Sequence, residues 1–178
     1  MFKIVERIDN DEDFNKIIYD IKMNDTVLQM QNYRQHYNTS CYQHCLNVSY
    51  YTYLICKKLH LDYVSAARAG MLHDLFLYDW RKKQKNKGLH AFSHPKSAFD
   101  NAAKLFELND VEKDIILKHM WPVTIALPKY KESYIITLTD KFSAVIETID
   151  GLKDTKTYKK IFRYSYILLG ICTFRYFL

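Results

Sequence analysis

The scarcity of glycine and proline constrains the fold of this chain more than any other feature. Its 178 residues include only 4 Gly and 3 Pro, where average usage gives about 12 and about 9. Folds made only of β-strands need many turns, and turns depend on these two residues. The sequence therefore predicts an all-α protein with few loops. The length suits a single domain, which we expect to span residues 1–178.

Apolar residues at helical spacing predict a core of five helices between about residues 30 and 150. The expected ranges are 39–59, 63–75, 94–106, 110–120 and 132–149. Short helices are expected on both sides, one or two within 12–30 and a C-terminal helical extension over 151–178. The uncharged run 164–174 is too short for a membrane span. It suits a packed terminal helix or a homodimer contact.

Three of these helices carry features that predict how they pack. The first has an apolar stripe with a histidine in it, and the last has an apolar stripe beside Asp140; such stripes usually face a core. The residues are Cys41, His44, Val48, Tyr51, Ile55 and Leu59 in the first, and Ile135, Leu138, Phe142, Val145 and Ile149 in the last. Small residues around Gly70 would let another helix approach the 63–75 helix closely. Ser93 is expected to cap the 94–106 helix, with Pro95 in its first turn.

Polar residues that can bind metal lie in or beside the apolar faces of four predicted helices. They are His44, His73 with Asp74, His119 and Asp140. Singly, each could be a satisfied core histidine or a carboxylate paired with a cation. Burying all of them without partners would cost on the order of several kcal/mol. A shared metal ion removes that cost, because imidazole and carboxylate bind Fe, Mn, Zn or Co and helical bundles assemble such sites from several helices.

The order of these residues resembles the HD-domain superfamily of metal-dependent phosphohydrolases. His44, the pair His73-Asp74 and the later Asp140 follow the pattern of the family, and the resemblance covers roughly residues 30–150. The segments LHDLFLYDW, HAFSHP, KHMWPVT and TDK are similar to a bacterial group of these hydrolases. Adjacent side chains on a helix diverge by about 100°. His73 and Asp74 are therefore expected near a helix end, where both can reach one site.

The resemblance implies one or two divalent ions, of Fe, Mn, Co, Zn or Mg. The implied ligands of the first ion are His44, His73, Asp74 and Asp140. Dinuclear members add two histidines, for which His94 and His119 are placed, and Asp74 would then bridge the ions. His90 is a rival to His94 four residues away. We favour His94, because His90 precedes the predicted helix.

The implied reaction is hydrolysis of a phosphate ester of a nucleotide or another small phosphorylated metabolite by a metal-activated water. Asp74 would orient or deprotonate the water, and His94 or His90 would protonate the leaving oxygen. Lys141 could reach the substrate phosphate, or it could be a surface lysine. Two other classes of protein would use the same ligands. They are an HD-type di-iron oxygenase and a regulatory module that binds metal without turnover.

Charge and cysteine usage bear on partners and location. The chain has 26 Lys and Arg against 20 Asp and Glu, a net charge of +6, which suits an anionic partner. The basic run RKKQKNKG over 81–88 contains no aromatic residue, and this disfavours nucleic acid. The four cysteines form no CxxC pair, and the segment MFKIVERIDNDEDF shows no signal peptide. We therefore expect a cytoplasmic protein with a small phosphorylated substrate and no membrane span.

Overall fold

The computed structural model describes residues 2–82 and 90–153. In these ranges the regular structure is helical, apart from one isolated bridge between Arg34 and Ser40. A 3-10 turn, Gln29–Asn32, follows the first four helices. The helices are α1 (Phe2–Asn10), α2 (Glu12–Ile17), α3 (Tyr19–Lys22), α4 (Asp25–Leu28), α5 (Cys41–Lys58), α6 (Tyr63–Leu72), α7 (His90–Leu105), α8 (Asp110–Lys118) and α9 (Lys131–Lys153). The all-α prediction is confirmed.

Helices α5–α9 form the five-helix bundle that the sequence predicts, and side chains of the N-terminal helices, among them Ile8 and Phe14, add to its hydrophobic core. Helix α5 packs against α6 and α9, and α8 lies against α6, α7 and α9. Ser40 caps α5 through its hydroxyl, which accepts from the N–H of Gln43. Asn109 and Glu112 form a capping box at the start of α8. These caps fix where each helix begins, and so which residues face the centre of the bundle.

The contact between α5 and α6 is a close backbone approach. A Cβ atom added at Gly70 would lie 2.6 Å from Cα of Ser49. The Ser49 hydroxyl donates to the carbonyl of Ala67 at 2.6 Å. The expectation that small residues let a second helix approach this helix is therefore confirmed.

Gly70→Ala should destabilise the protein by a net of about 1–2 kcal/mol, because overpacking against backbone atoms lies toward the upper end of the usual cost of about 1–3 kcal/mol. The gain in helix propensity of about 1 kcal/mol works against this loss. The free energy of unfolding from urea titration measures the difference. Lys104→Ala, an exposed change in α7, is the control and should stay within about 0.5 kcal/mol. Equal stability of the two variants would mean that α5 and α6 can separate without cost.

Helix α7 begins earlier than the sequence predicts. It starts at His90, so Ser93 is not its N-cap and Pro95 lies inside the helix rather than in its first turn. Proline removes only the hydrogen bond to the carbonyl of Ala91, and a helix tolerates that loss near its N-terminus. His90 and His94 therefore lie one turn apart on the same helix.

The apolar stripes of α5 and α9 do not face the core along their whole length. In α5 the buried positions include Ser49, Thr52 and Cys56, whereas Ile55 and Leu59 are exposed. In α9 the exposed positions include four residues of the predicted stripe: Leu138, Phe142, Val145 and Ile149. The polar side of α9 is buried instead, because that side supplies Asp140 and its neighbours to a polar cluster at the centre of the bundle.

Two sequence predictions fall wholly or partly outside the described residues. Of the C-terminal extension, residues 151–153 form the last turn of α9, and 154–178 are not described. Of the basic run, Arg81 and Lys82 are described and 83–88 are not. Within the described ranges, the helices are too short or too polar to cross a membrane.

Candidate metal centre

His73 and Asp74 meet the rest of the cluster at the end of α6. The helix ends at Leu72 and His73 is its C-cap, so the backbone turns away and both side chains reach one place. His73 is fully buried and Asp74 is 2% exposed. The expectation of a helix end at this pair is confirmed, although the end falls three residues before the predicted one.

Four buried histidines turn Nε2 toward the cluster and Nδ1 away from it. In each, Nδ1 lies beside an acceptor that can only receive a hydrogen bond. The pairs are His44 with Glu147 Oε2 (2.9 Å), His73 with the carbonyl of Gly70 (2.8 Å), His94 with that of His90 (2.8 Å) and His119 with that of Ile116 (2.9 Å). Nδ1 therefore carries the hydrogen, and in the neutral ring the lone pair of Nε2 faces inward.

One side of the cluster joins α5, α6 and α9. His44 Nε2 lies 3.0 Å from Asp140 Oδ1, and His73 Nε2 lies 3.7 Å from the same oxygen. The donor atoms of these three residues all lie within 4.8 Å of one another. Two imidazoles and one carboxylate at this separation could hold a divalent ion.

The other side of the cluster joins α7 and α8 to Asp74. Asp74 Oδ1 lies 3.2 Å from His94 Nε2 and 3.5 Å from His119 Nε2. The two Nε2 atoms are only 2.8 Å apart. With both lone pairs pointing at each other, this contact repels unless a cation or a proton lies between or beside them.

Asp74 connects the two sides through its two oxygens. Oδ1 faces His94 and His119, whereas Oδ2 lies 3.6 Å from His73 Nε2. The side-chain amide of Gln35 donates to Oδ2 and so fixes the carboxylate plane. This arrangement suits a carboxylate that contacts two ions.

Two buried polar atoms of the cluster lack hydrogen-bond partners, and this indicates that the residues of the cluster fit a metal ion. His73 Nε2 and Asp74 Oδ1 are buried and have no hydrogen-bond partner. Buried polar atoms normally have partners, and each one left alone costs about 1–3 kcal/mol. A divalent cation bound among these atoms would offset that cost.

The acids of the cluster are held in their charged form. Burial raises the pKa of Asp140, but in the absence of a metal the protonated imidazoles of His44 (3.0 Å) and His73 (3.7 Å) outweigh it and hold that pKa below its ordinary value. Burial of Asp74 is likewise outweighed, by His73 and His94, so its pKa lies well below the usual range. The cluster therefore offers two carboxylates to a cation at neutral pH.

His90 lies beside the cluster rather than in it. Its Nδ1 is 3.2 Å from the hydroxyl of Tyr78, and its ring stacks between those of Trp80 and His94. Burial, followed by the electrostatic effect of the neighbouring imidazole of His94, lowers the pKa of His90 to about 4. The geometry thus brings His94, and not His90, to Asp74 and His119, although the reason given from the sequence was wrong, since both residues belong to α7.

Lys141 is tied to the backbone. Its ammonium donates to the carbonyl oxygens of His119 at 3.2 Å and Thr137 at 3.3 Å, and burial lowers its pKa. The side chain thereby links α9 to the C-cap residue of α8. It holds the backbone of His119 in place and brings a positive charge to this side of the cluster.

Sequence reasoning missed three side chains that contact the candidate ligands. Gln35 bonds Asp74, the ring of His36 packs on His44 at a centroid distance of 4.8 Å, and Glu147 bonds His44. Glu147 lies seven residues after Asp140, and this spacing places both on one helical face; that signal was available. Gln35 and His36 come from the loop before α5, where no periodicity points to a site.

Glu147 is held in turn by α5. The side-chain amide of Asn47 donates to Glu147 Oε1 at 2.9 Å, and Gln43 donates to Asn47 Oδ1 at 2.9 Å. The chain Gln43–Asn47–Glu147 therefore fixes the ring of His44 with Nε2 toward Asp140. A carboxylate bonded to the outer nitrogen of a metal-ligating histidine is a frequent arrangement in metalloproteins.

Glu147→Ala should weaken metal binding by about 10–100-fold, because the loss of an outer partner of a ligating histidine has effects of this size. Titration of the metal-free protein with Mn²⁺ or Co²⁺ measures the affinity. Glu107→Ala removes the same charge at an exposed position and should leave the affinity unchanged. If both variants bind metal like the wild type, Glu147 does not orient His44 for a metal.

A surface depression of about 540 Å³ opens beside this cluster. Its lining includes Gln35 and His36, which contact the cluster, and the cationic or aromatic side chains of Arg34, Trp80 and Arg81. Two guanidinium groups line the depression, and that of Arg81 is paired with Asp79 at 3.0 Å. Gln35 and His36 connect this depression to Asp74 and His44, which do not themselves line it.

Comparison with known proteins now gives the family. The model of the HD domain matches residues 41–145, which is more than half of the chain. The match includes all six residues of the two sides of the cluster. The chain therefore belongs to the HD-domain family, and the predicted membership is confirmed. Neither the curated proteins nor the solved structures contain a significant match to this sequence.

Proposed function

We propose that this protein is a metal-dependent phosphohydrolase that cleaves a phosphate ester of a nucleotide or another small phosphorylated metabolite. The observation that carries the proposal is the convergence of four inward-facing Nε2 atoms on Asp74 and Asp140 in a chain of the HD-domain family. Imidazole and carboxylate in this combination are ligands for Fe, Mn, Co or Zn.

We assign the six residues to two divalent ions. His73 has one nitrogen available, because its other nitrogen bonds Gly70, so it serves a single ion. We place His73 with His44 and Asp140, whose donor atoms lie within 4.8 Å of its own, and His94 with His119, while Asp74 offers Oδ1 to the second pair and Oδ2 to the side of His73. A divalent ion supplies Lewis-acid chemistry, which polarises phosphoryl oxygens and raises the acidity of water.

The protein groups around the ions then have distinct tasks. Asp74 is the carboxylate nearest both sides and would orient the attacking water. Arg34 and Arg81 would draw the phosphorylated substrate into the depression and offset its charge. Lys141 acts through the backbone of His119 and is a positioning residue rather than a contact to phosphate.

Neither histidine of α7, His90 or His94, is suited to protonate the leaving oxygen. Both ring nitrogens of His94 are engaged, Nδ1 with the carbonyl of His90 and Nε2 with the cluster. The low pKa of His90 leaves that ring neutral at physiological pH, without a proton to spare for a leaving group. We therefore assign His94 as a ligand only.

Removal of metal should abolish hydrolysis. The protein treated with a chelator is expected to release no phosphate from a panel of nucleotides and other phosphate esters, and addition of Mn²⁺, Co²⁺ or Mg²⁺ should restore release. Phosphate assay of each substrate with each metal is the measurement. Hydrolysis that persists without metal would contradict the proposal. Oxygen consumption by the iron-loaded protein without phosphate release would instead indicate the oxygenase class.

A further inference from the structure

Helix α9 exposes a continuous apolar strip, here called the outer face of α9. It consists of four side chains that are exposed to solvent: Leu138 (68%), Phe142 (59%), Val145 (58%) and Ile149 (43%). They follow one another at spacings of four, three and four residues. Alternating steps of four and three residues are the pattern with which one helix packs along another, and exposed apolar patches of this kind mark contact surfaces.

The candidate metal centre prevents α9 from turning this face inward. Asp140 and Glu147 lie on the opposite side of the helix, where both bond His44. The hydroxyl of Thr139 on that side bonds the hydroxyl of Thr52 in α5. A rotation that buried Phe142 would break these contacts. Any partner that covers the outer face therefore lies outside the core of helices α5–α8.

We propose that the outer face of α9 is the docking surface for residues 154–178 of the same chain. These 25 residues follow directly on Lys153, the last residue of α9. They contain the uncharged run 164–174, which is separated from the end of α9 by the ten residues 154–163. A connection this short closes at little entropic cost and keeps the run at a high effective concentration beside α9.

The dimensions agree with an antiparallel helical hairpin. The outer face spans residues 138–149, about 17 Å of helix, and a helix over 164–174 would be about 15 Å long. Two antiparallel helices joined by a short connection are a common unit in helical proteins. The run 164–174 would thus cover nearly the whole length of the outer face.

A second copy of the chain is the weaker candidate for this surface. A symmetric contact between two outer faces would cover α9 in both copies, but it would leave the run 164–174 of each copy in water. Docking within the chain covers both apolar surfaces at once. The inference concerns the packing of α9 and does not depend on the proposed function.

Chemical labelling of full-length protein tests this docking. Phe142→Cys is made in a Cys172→Ser background, and Ile125→Cys in the same background is the control, because Ile125 is fully exposed. Cys41, Cys45 and Cys56 are buried and react slowly. We expect a maleimide to react at position 142 at least about tenfold more slowly than at position 125, since a covered thiol must wait for local opening.

Two further measurements identify what covers the outer face. Sedimentation should show a monomer, with a labelling rate that does not change with protein concentration. Leu168→Asp, added in the run 164–174, should raise the rate at position 142 to that at position 125. Equal rates without this change would mean an open face and would overturn the proposal. Protection that appears only together with a dimer, or that survives Leu168→Asp, would overturn it as well. Leu138→Cys repeats the test at an independent position.

Discussion

Asp74→Ala is expected to abolish both metal binding and phosphohydrolase activity. Asp74 offers one oxygen to His94 and His119 and the other to the side of His73, so its loss removes a ligand from both ions. The loss in metal affinity should exceed the decrease of about 10–100-fold that follows from losing the outer hydrogen-bond partner of a single ligand. Elemental analysis of the purified protein and phosphate release on the best substrate measure the two effects.

The control for this variant is Asp25→Ala, which removes an exposed carboxylate from α4. It should keep wild-type metal content and activity. Thermal unfolding of both metal-free proteins checks that each is folded. Metal content in Asp74→Ala equal to that of the wild type would show that the ions bind elsewhere, and the ligand assignment would fail.

His119→Ala should lower the metal stoichiometry from two ions to one. His119 Nε2 lies closest to His94 and Asp74, so we assign it to the ion on that side, and the ion held by His44, His73 and Asp140 should remain. The variant should also lose most of its hydrolytic activity, since both ions of such a centre act on the same phosphoryl group. Elemental analysis together with titration of the metal-free protein gives the count.

The matched control is His60→Asn, an exposed histidine distant from the cluster in the sequence. Its φ of 55° is a conformation that asparagine tolerates, so the change should not strain the backbone. This control should retain two ions. An unchanged count of two in His119→Ala would make His119 a core histidine, and a count of one in the wild type would favour a single-ion centre.

The candidate ligands could be found from the sequence because each combines a metal-binding group with an apolar helical context. His44 lies in the stripe of α5, and His119 follows the apolar pattern of α8 as its C-cap. The order of His44, His73-Asp74 and Asp140 also matches the HD-domain family. The helical context of a residue is local, and the order of the ligands is read along the chain. Both can therefore be recognised from a single sequence.

Other parts of the site depend on contacts that a sequence does not display. Gln35 reaches Asp74 from a loop held by the bridge between Arg34 and Ser40. The start of α7 at His90 was missed because Pro95 looks like a residue of the first turn, although a helix can include it later at the cost of one hydrogen bond. Helical spacing alone favours the stripe of α9 as the buried face, whereas the polar centre requires the opposite face to point inward.

Anomalous diffraction from crystals grown with Mn²⁺ or Co²⁺ tests the metal centre most directly. We expect two peaks in the anomalous map, one among His44, His73 and Asp140 and one among Asp74, His94 and His119. This result would locate both ions without reference to any activity. A map with no peak in this cluster, from protein that hydrolyses phosphate esters with the same metal, would contradict the account.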